Sequence, residues 1–561
     1  MHHCLEVDDI FAVVVNYAYE SRLIYDAAEG ISVQQSQLAR HFDTGTVLAL
    51  ALTCRSFTDT ALNRLWHSSL GIDRVLQTLP ADAWRKESTT VHITRPLTIA
   101  DWERFDYYGG KIRVFKFDSR RIQDQRKDSF GRSLNRGYHH LFTERPKPLL
   151  FSQLRDLTWL GVGDTGLAPL FVGQQLESLN LTLAVSQRAD QGNTFTPEDL
   201  KFVLDTQPRL KFLFLYSQMI GMLVSPNLVL NVIHSSSDLC IVRVDMKLSS
   251  NDLIHIALMP SLVEFHFVAD SNDDLAPLLT RDQPLFPSLR VISLGHLHVY
   301  CGADVSSCAA LLDRIHSSVL QDVSLEATGT SSSAMRRKLL SSMHKRYSAL
   351  RKLHVVGIRT APVRLPLKQD AFGDDELVPL LSLTSLTHLQ LSFICQYDLG
   401  DLMMLRIADG WPGLQSLKIG TVHGWEKRSR VTLHGLIGLI KSCPQLRELA
   451  LPIDISQISL DLEHDELPQN HHITTIDLMD SAIVMEDENI LDRSARCFVV
   501  LFPELRLIRS SRPRWQLSWH GNSTGGNMAQ VCWVAIADKI VARCPTRRLA
   551  VTTQYFSSLS Y

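Results

Sequence analysis

The sequence predicts an α/β solenoid, with parallel strands inside and helices outside, preceded by a small all-α bundle. Three observations carry this: an apolar residue recurs at positions 1, 4 and 6 of short segments, prolines stand ahead of many of those segments, and the N-terminal part has a helical texture of its own. The chain has 561 residues, too many for one compact core. Apolar residues make up 45% and charged residues 21%, and 28 Gly with 22 Pro is an ordinary share, so the composition is globular. With 57 basic against 59 acidic side chains the formal charge is -2, which gives no global reason to expect nucleic acid or an anionic membrane as a partner.

Residues 1–80 come first. Leu48, Leu52, Leu62, Leu65 and Trp66 fall on apolar faces of two short helical pieces joined near Phe57, and Ile72, Val75, Leu76 and Leu79 follow at i, i+3, i+4 and i+7 before Pro80. The segment Leu48, Ala51 or Leu52, Thr53, Cys54, Arg55, Phe57, Leu62, Leu65, Trp66 resembles the second half of an F-box, and Leu5, Val7, Ile10, Phe11 and Val14 stand where its first half would be. The chain lacks the proline beside the first leucine and inserts Tyr19 to Asp43 between the halves. The resemblance implies a module that docks on a Skp-type adaptor of a cullin-based ubiquitin ligase through Leu5, Val7, Ile10, Phe11, Val14, Leu48, Leu52, Cys54, Arg55 and Phe57. Leu5, Val7 and Phe11 are the expected contacts, and Trp66 is expected in the bundle's core.

Residues 81–150 read as a linker or transition to the solenoid, with a basic loop. Its stretch Lys111 to Lys147 holds eleven Lys or Arg against four acids, which suits a solvated loop better than a nucleic-acid site.

The repeats occupy residues 151–510. Thirteen units begin at Leu154, Leu176, Leu210, Leu239, Leu262, Leu289, Leu320, Leu350, Leu386, Leu414, Leu446, Ile473 and Leu505, with gaps from 22 to 36 that average about 29 residues. Pro208, Pro260, Pro287, Pro412, Pro444 and Pro503 each lie two residues before the first apolar site, where random placement would put about 0.5 prolines in thirteen positions. A proline, with the residue before it, ends the helical return and frees the chain for a strand. Helices are predicted after Thr196-Pro-Glu-Asp and over 307–317, 333–343, 433–441 and 490–501.

This region resembles the leucine-rich repeat family through its L-x-x-L-x-L sites. It departs in lacking the Asn or Cys three places after the third site, where Ala184, Gln218, Asp270, Leu297, Thr328, Ile358 and Asp454 stand. Stacked units share one dry core and leave the strands' other face free. The residues between the second and third apolar sites, Asn180, Phe214, Arg243, His266, Ser293, Ser324, His354, Gln390, Lys418 and Asp477, are therefore the candidates for touching a target protein. Residues 511–561 read as a capping segment whose helix, with Val531, Val534, Ala535 and Ile540, covers the last repeat.

Signals for chemistry fail in context. Gly161-Val-Gly163-Asp-Thr-Gly166 imitates a dinucleotide-binding turn but is followed by Pro169 and no ribose-holding acid. Gly521-Asn-Ser523-Thr-Gly525 imitates a hydrolase elbow, yet no histidine lies beyond His520. The pairs His2-His3, His139-His140 and His471-His472 lack metal-site spacing, and the ten cysteines include no C-x-x-C pair. No catalytic residue, metal or cofactor is expected. Without a basic-then-apolar start or a run of ~20 apolar residues, the expected location is cytoplasmic or nuclear, with no membrane partner. The function this implies is a non-catalytic substrate receptor of a cullin-type ubiquitin ligase. The alternative is a leucine-rich repeat scaffold whose helical module recruits no ligase.

Overall fold

The computed structural model describes residues 11–16, 44–87, 90–118, 145, 147–162, 170–184, 206, 208–217, 231–233, 236, 238–269, 271–280, 283–295, 302–358, 371–422, 424–425, 428–456, 467–479, 481, 488–511 and 528–554. The chain forms two compact units, Met1–Leu239 and Cys240–Tyr561.

In the first unit, residues 11–16 and the helices Thr44–Thr53 and Arg55–Leu65 make a small bundle. Its core is Phe11, Val15, Val47, Ala51, Phe57, Ala61 and Leu65, with Phe11 stacked on Phe57 at 4.0 Å between ring centroids. The predicted joint near Phe57 lies instead at Cys54, whose extended backbone separates the two helices while Phe57 packs inward. Strands β1 (Ser68–Leu70), β4 (Val114–Asp118), β5 (Asp156–Val162), β6 (Ser178–Ala184) and β7 (Phe212–Ser217) then pair in parallel, in chain order. A separate antiparallel hairpin joins β2 (Trp84–Glu87) to β3 (Thr90–Ile93).

The second unit continues the design with β8 (Ile241–Lys247), β9 (Glu264–Val268), β10 (Val291–Gly295), β11 (Asp322–Thr328), β12 (Lys352–Ile358), β14 (His388–Ser392), β16 (Ser416–Ile419), β17 (Glu448–Ala450), β18 (Thr475–Asp477), β19 (Leu507–Ser511) and β20 (Ala550–Gln554), again parallel and in chain order. Two-residue strands β13 (Phe372–Gly373) and β15 (Tyr397–Asp398) pair beside it. Strands so ordered, with helices between them on one side, are the arrangement of an α/β leucine-rich repeat solenoid.

Each of the thirteen predicted units supplies one strand, which starts two residues after the first apolar site. All thirteen first sites are buried, as are the fourth-position residues from Leu157 to Ile508. A tight turn delivers the chain to many of them: the amides of Leu350, Leu414, Leu446 and Leu505 donate to the carbonyls of Tyr347, Trp411, Cys443 and Phe502, three residues back. The next amide then bonds to the preceding repeat, as in Arg351 to Gln321, Gln415 to Thr387 and Arg447 to Gln415. These bonds extend the ladder by one rung into the turns and satisfy backbone groups that the core would otherwise strand.

The helices follow the predicted places: Val305–Arg314, Ser333–Arg346, Leu433–Ser442 and Glu488–Leu501. Capping boxes start Ser250–Ala257 (Ser249 with Asp252) and Ile99–Gly109 (Thr98 with Asp101). Arg95, 2.7 Å from Asp101, holds that carboxyl down at about 2 through its hydrogen bond. A left-handed turn follows β16 at Gly420, φ 76°, where a Cβ would lie 2.6 Å from the Trp425 ring. Only glycine fits.

Two expectations are corrected. The region 81–150 is not simply a linker, because it holds β2, β3 and β4 and a capped helix, and β1 already opens the ladder at Ser68. The C-terminal helix, Met528–Arg543, does not close the end of the stack. It lies beside Glu488–Leu501, with Lys539 3.0 Å from Glu488 and Trp533 against Phe498, and returns the chain to β20, so it belongs to a further repeat. Val534 is exposed, while Trp533, Ile536 and Ile540 face the core. The helix predicted after Thr196 lies outside the described residues.

Candidate functional surfaces

Residues 11–16 are helical and cannot bury every member of the run Val13-Val14-Val15, because successive side chains point about 100° apart. Val15 is buried, and Val13 and Val14 are 67% and 40% exposed. On the helix Thr44–Thr53, Val47 and Ala51 face the core. Leu48 and Leu52, one turn apart, are 49% and 80% exposed. Four large aliphatic side chains thus face water on a bundle whose core, among the described residues, is built from seven buried side chains.

The predicted adaptor contacts divide accordingly. Val14, Leu48 and Leu52 are exposed, Arg55 is exposed at the start of its helix, and Cys54 is half-buried, its thiol lowered by a hydrogen bond with Ser56. Phe11 and Phe57 are corrected: buried and stacked on each other, they close the core and are not on the surface. Leu5, Val7 and Ile10 lie outside the described residues. Val13 was missed, although the valine run signalled it. Trp66 is half-buried, packed beside Tyr108 at 5.0 Å with Arg74 over its ring. Tyr107 donates to Asp59, and Lys111 bonds Asn63 at 2.9 Å, so helix Arg55–Leu65 is tied to helix Ile99–Gly109.

In the ladders the alternation sends every second residue away from the helices, and each predicted target-facing residue lies on that open face, half-buried. Asn180 and Phe214 are cross-strand partners in the first unit. In the second, Arg243, His266, Ser293, Ser324, His354, Gln390 and Lys418 form one row in which each residue is the register partner of the next. Ala450 follows Lys418, and Asp477 follows Ala450.

This face is polar and internally bonded. Arg243 donates to Glu264 at 2.6 Å, and His266 lies 2.9 Å from the same carboxylate. Ser324 Oγ is 3.2 Å from His354 Nδ1. Lys352 pairs with Asp322 at 3.3 Å and Lys418 with Glu448 at 2.7 Å. Burial works to raise the Glu448 carboxyl, but hydrogen bonds from Lys418 and Ser416 outweigh it and the group is held down. Burial lowers His266, His354 and His388, and raises Asp477.

Among the described residues no three His, Cys, Asp or Glu side chains converge to hold a metal ion, and no helix is long and apolar enough to cross a membrane. Gly161 lies within β5, whereas Gly163 to Gly166, the Ser523 motif, His2-His3 and His139-His140 lie outside the described residues. His471 and His472 are exposed. Of the basic stretch, Val114 to Asp118 is strand β4, Arg145 is buried against Asp106, and Lys147 pairs with the same acid at 2.7 Å.

No family model matches the chain, and no curated protein matches it. Among solved structures it is similar to a chain of the Rad7 and Elc1 complex in yeast, with 14% identity and a TM-score of 0.32 over 60% of this chain and 85% of that one. It is also similar to the leucine-rich repeat-containing protein LegL7 from Legionella pneumophila, with 11% identity and a TM-score of 0.24 over 54% of this chain and 87% of that one.

Proposed function

We propose that this chain is a non-catalytic substrate-recognition subunit of a cullin-type ubiquitin ligase. The N-terminal bundle docks a Skp-type adaptor, and the open face of the repeats holds a target protein. The observation that carries the reading is the exposed aliphatic set Val13, Val14, Leu48 and Leu52, which a bundle with so small a core would not leave in water without a partner to cover it. The Cys54-Arg55 to Trp66 spacing that resembles an F-box falls on the next helix, Arg55–Leu65, and its two caps.

The test is capture of the full-length chain by a purified Skp-type adaptor. Wild type binds, and Leu48→Asp with Leu52→Asp abolishes capture while leaving the unfolding midpoint unchanged, since both side chains already face solvent. Point changes are preferable to removing residues 1–70, because that deletion takes away β1. Failure of the wild type to bind leaves the alternative: a repeat-based protein-interaction scaffold without a ligase role.

A further inference from the structure

The open face of the second unit is divided by charge. On the adjacent strands β12, β14 and β16, every outward ionisable side chain is basic: Lys352, His354, His388 and Lys418. On β8, β9 and β11, by contrast, the outward set includes the four acids Asp245, Glu264, Asp322 and Glu326 beside Arg243 and His266. Within this second sector, between β9 and β11, strand β10 contributes Val291, Ser293 and Gly295, with no charge.

We infer that the target of this wall is a protein segment of split charge, its acidic end over β12 to β16 and its basic end over β8 to β11. This rests on the reading of the open face as the target-holding surface and names the chemistry of what it holds. Strands about 4.8 Å apart put these seven strands across roughly 29 Å, and an extended chain rising about 3.3 Å per residue crosses them in about nine residues.

The lysines are engaged, yet in a way a partner can take over. Lys352 leans toward Asp322 and Lys418 toward Glu448, acids on the strands that bracket the basic sector, and the lysine side chains are 55% and 34% exposed. Ion pairs this exposed hold weakly, so a carboxylate from the target exchanges with them at little cost. Along the row, Ser324, His354 and Gln390 add donors and acceptors without adding charge at neutral pH, which gives register to a segment that the charges orient. A nucleic acid would meet the acids of β8 to β11 along the same path and be repelled.

A display library of random nine-residue peptides, selected on the immobilised full-length chain at low and physiological salt, tests this. The expected winners carry acidic residues at one end and basic residues at the other, and Lys352→Glu with Lys418→Glu weakens them by about tenfold or more. A Glu326→Lys chain should select against the basic end instead. Lys352 is exposed and Lys418 and Glu326 are half-buried on the open face, away from the core, so the substitutions leave the ladder folded. Winners without charge segregation, or unaffected by the lysine reversals, overturn this inference but leave the target-holding face standing. No enrichment on the wild-type chain overturns both. Tight binding of a single-stranded RNA oligonucleotide that the lysine reversals abolish also overturns it.

Discussion

The N-terminal bundle and the ladder of the second unit spend their apolar residues differently. Among the described residues, the bundle closes on seven buried side chains and leaves Val13, Val14, Leu48 and Leu52 in water. The ladder hides the first, fourth and sixth sites of most repeats and shows solvent a row of hydroxyl, imidazole, amide and charged groups. One surface is therefore suited to being covered by an apolar partner, the other to a wet contact chosen by charge. Stacking explains the contrast, since a repeat borrows a dry flank from a neighbour on each side, whereas helix Thr44–Thr53 turns Leu48 and Leu52 to a side that, among the described residues, no repeat covers.

The comparison breaks hardest at a fully buried ion pair of the ladder. Arg336 bonds Glu376 at 2.7 and 2.9 Å, with both side chains buried and Phe372 under the guanidinium. Arg336→Ala strands the carboxylate and should cost about 3–5 kcal/mol in urea unfolding, while Arg336→Met with Glu376→Leu should recover most of that loss. Leu417→Ala, at a fully buried rung, should cost about 2–5 kcal/mol. In the bundle, Phe11→Ala removes the ring stacked on Phe57, with a local cost of about 3–5 kcal/mol. Hydrogen exchange should then show residues 44–65 opening while the strands of the second unit stay protected.

Acid gives a smaller effect confined to the ladder's open face. His266 faces Arg243 and Glu264; His354 faces Ser324, Glu326 and Lys418; His388 faces Thr387, Lys352, Lys418, Asp322 and Glu448. Burial holds all three below the ordinary 6.5, so between the folded and unfolded values the unfolded chain binds protons that the folded chain does not. Their contribution is complete above about 6.5 and is lost as pH falls below it. Urea midpoints should drop between about pH 7 and pH 5, and His354→Gln should flatten that drop. A flat wild-type profile would contradict the burial of these rings. Smallest of all, Leu52→Ala should move stability by no more than about 0.5 kcal/mol, because its side chain is already solvated.

The thirteen central strands were legible because buried rungs demand large apolar residues at fixed spacing and proline marks where each helix must stop. The outer strands were harder. Ile112-Arg-Val-Phe115-Lys-Phe117 carries the same pattern in β4, but its aromatic sites sit in a run of basic residues that reads as loop. In β1 the inward residue is Ser69, and β20 offers Val551 amid threonines. End strands have one neighbour rather than two, so packing asks less of their side chains. The open-face row followed from alternation alone, whereas the split of its charges required the register that places β12, β14 and β16 side by side. On the bundle, the sequence pattern put Leu48 and Leu52 together with Phe11 and Phe57 and could not separate the exposed pair from the buried one, because burial in short helices depends on which faces meet.

The central claim, that the bundle recruits and the ladder holds, is tested most directly by hydrogen–deuterium exchange on the full-length chain with and without a purified Skp-type adaptor. The account predicts adaptor-dependent protection in residues 11–16 and 44–53 and unchanged exchange in β8 to β19. Protection confined to the strands, or none anywhere at saturating adaptor, would contradict it.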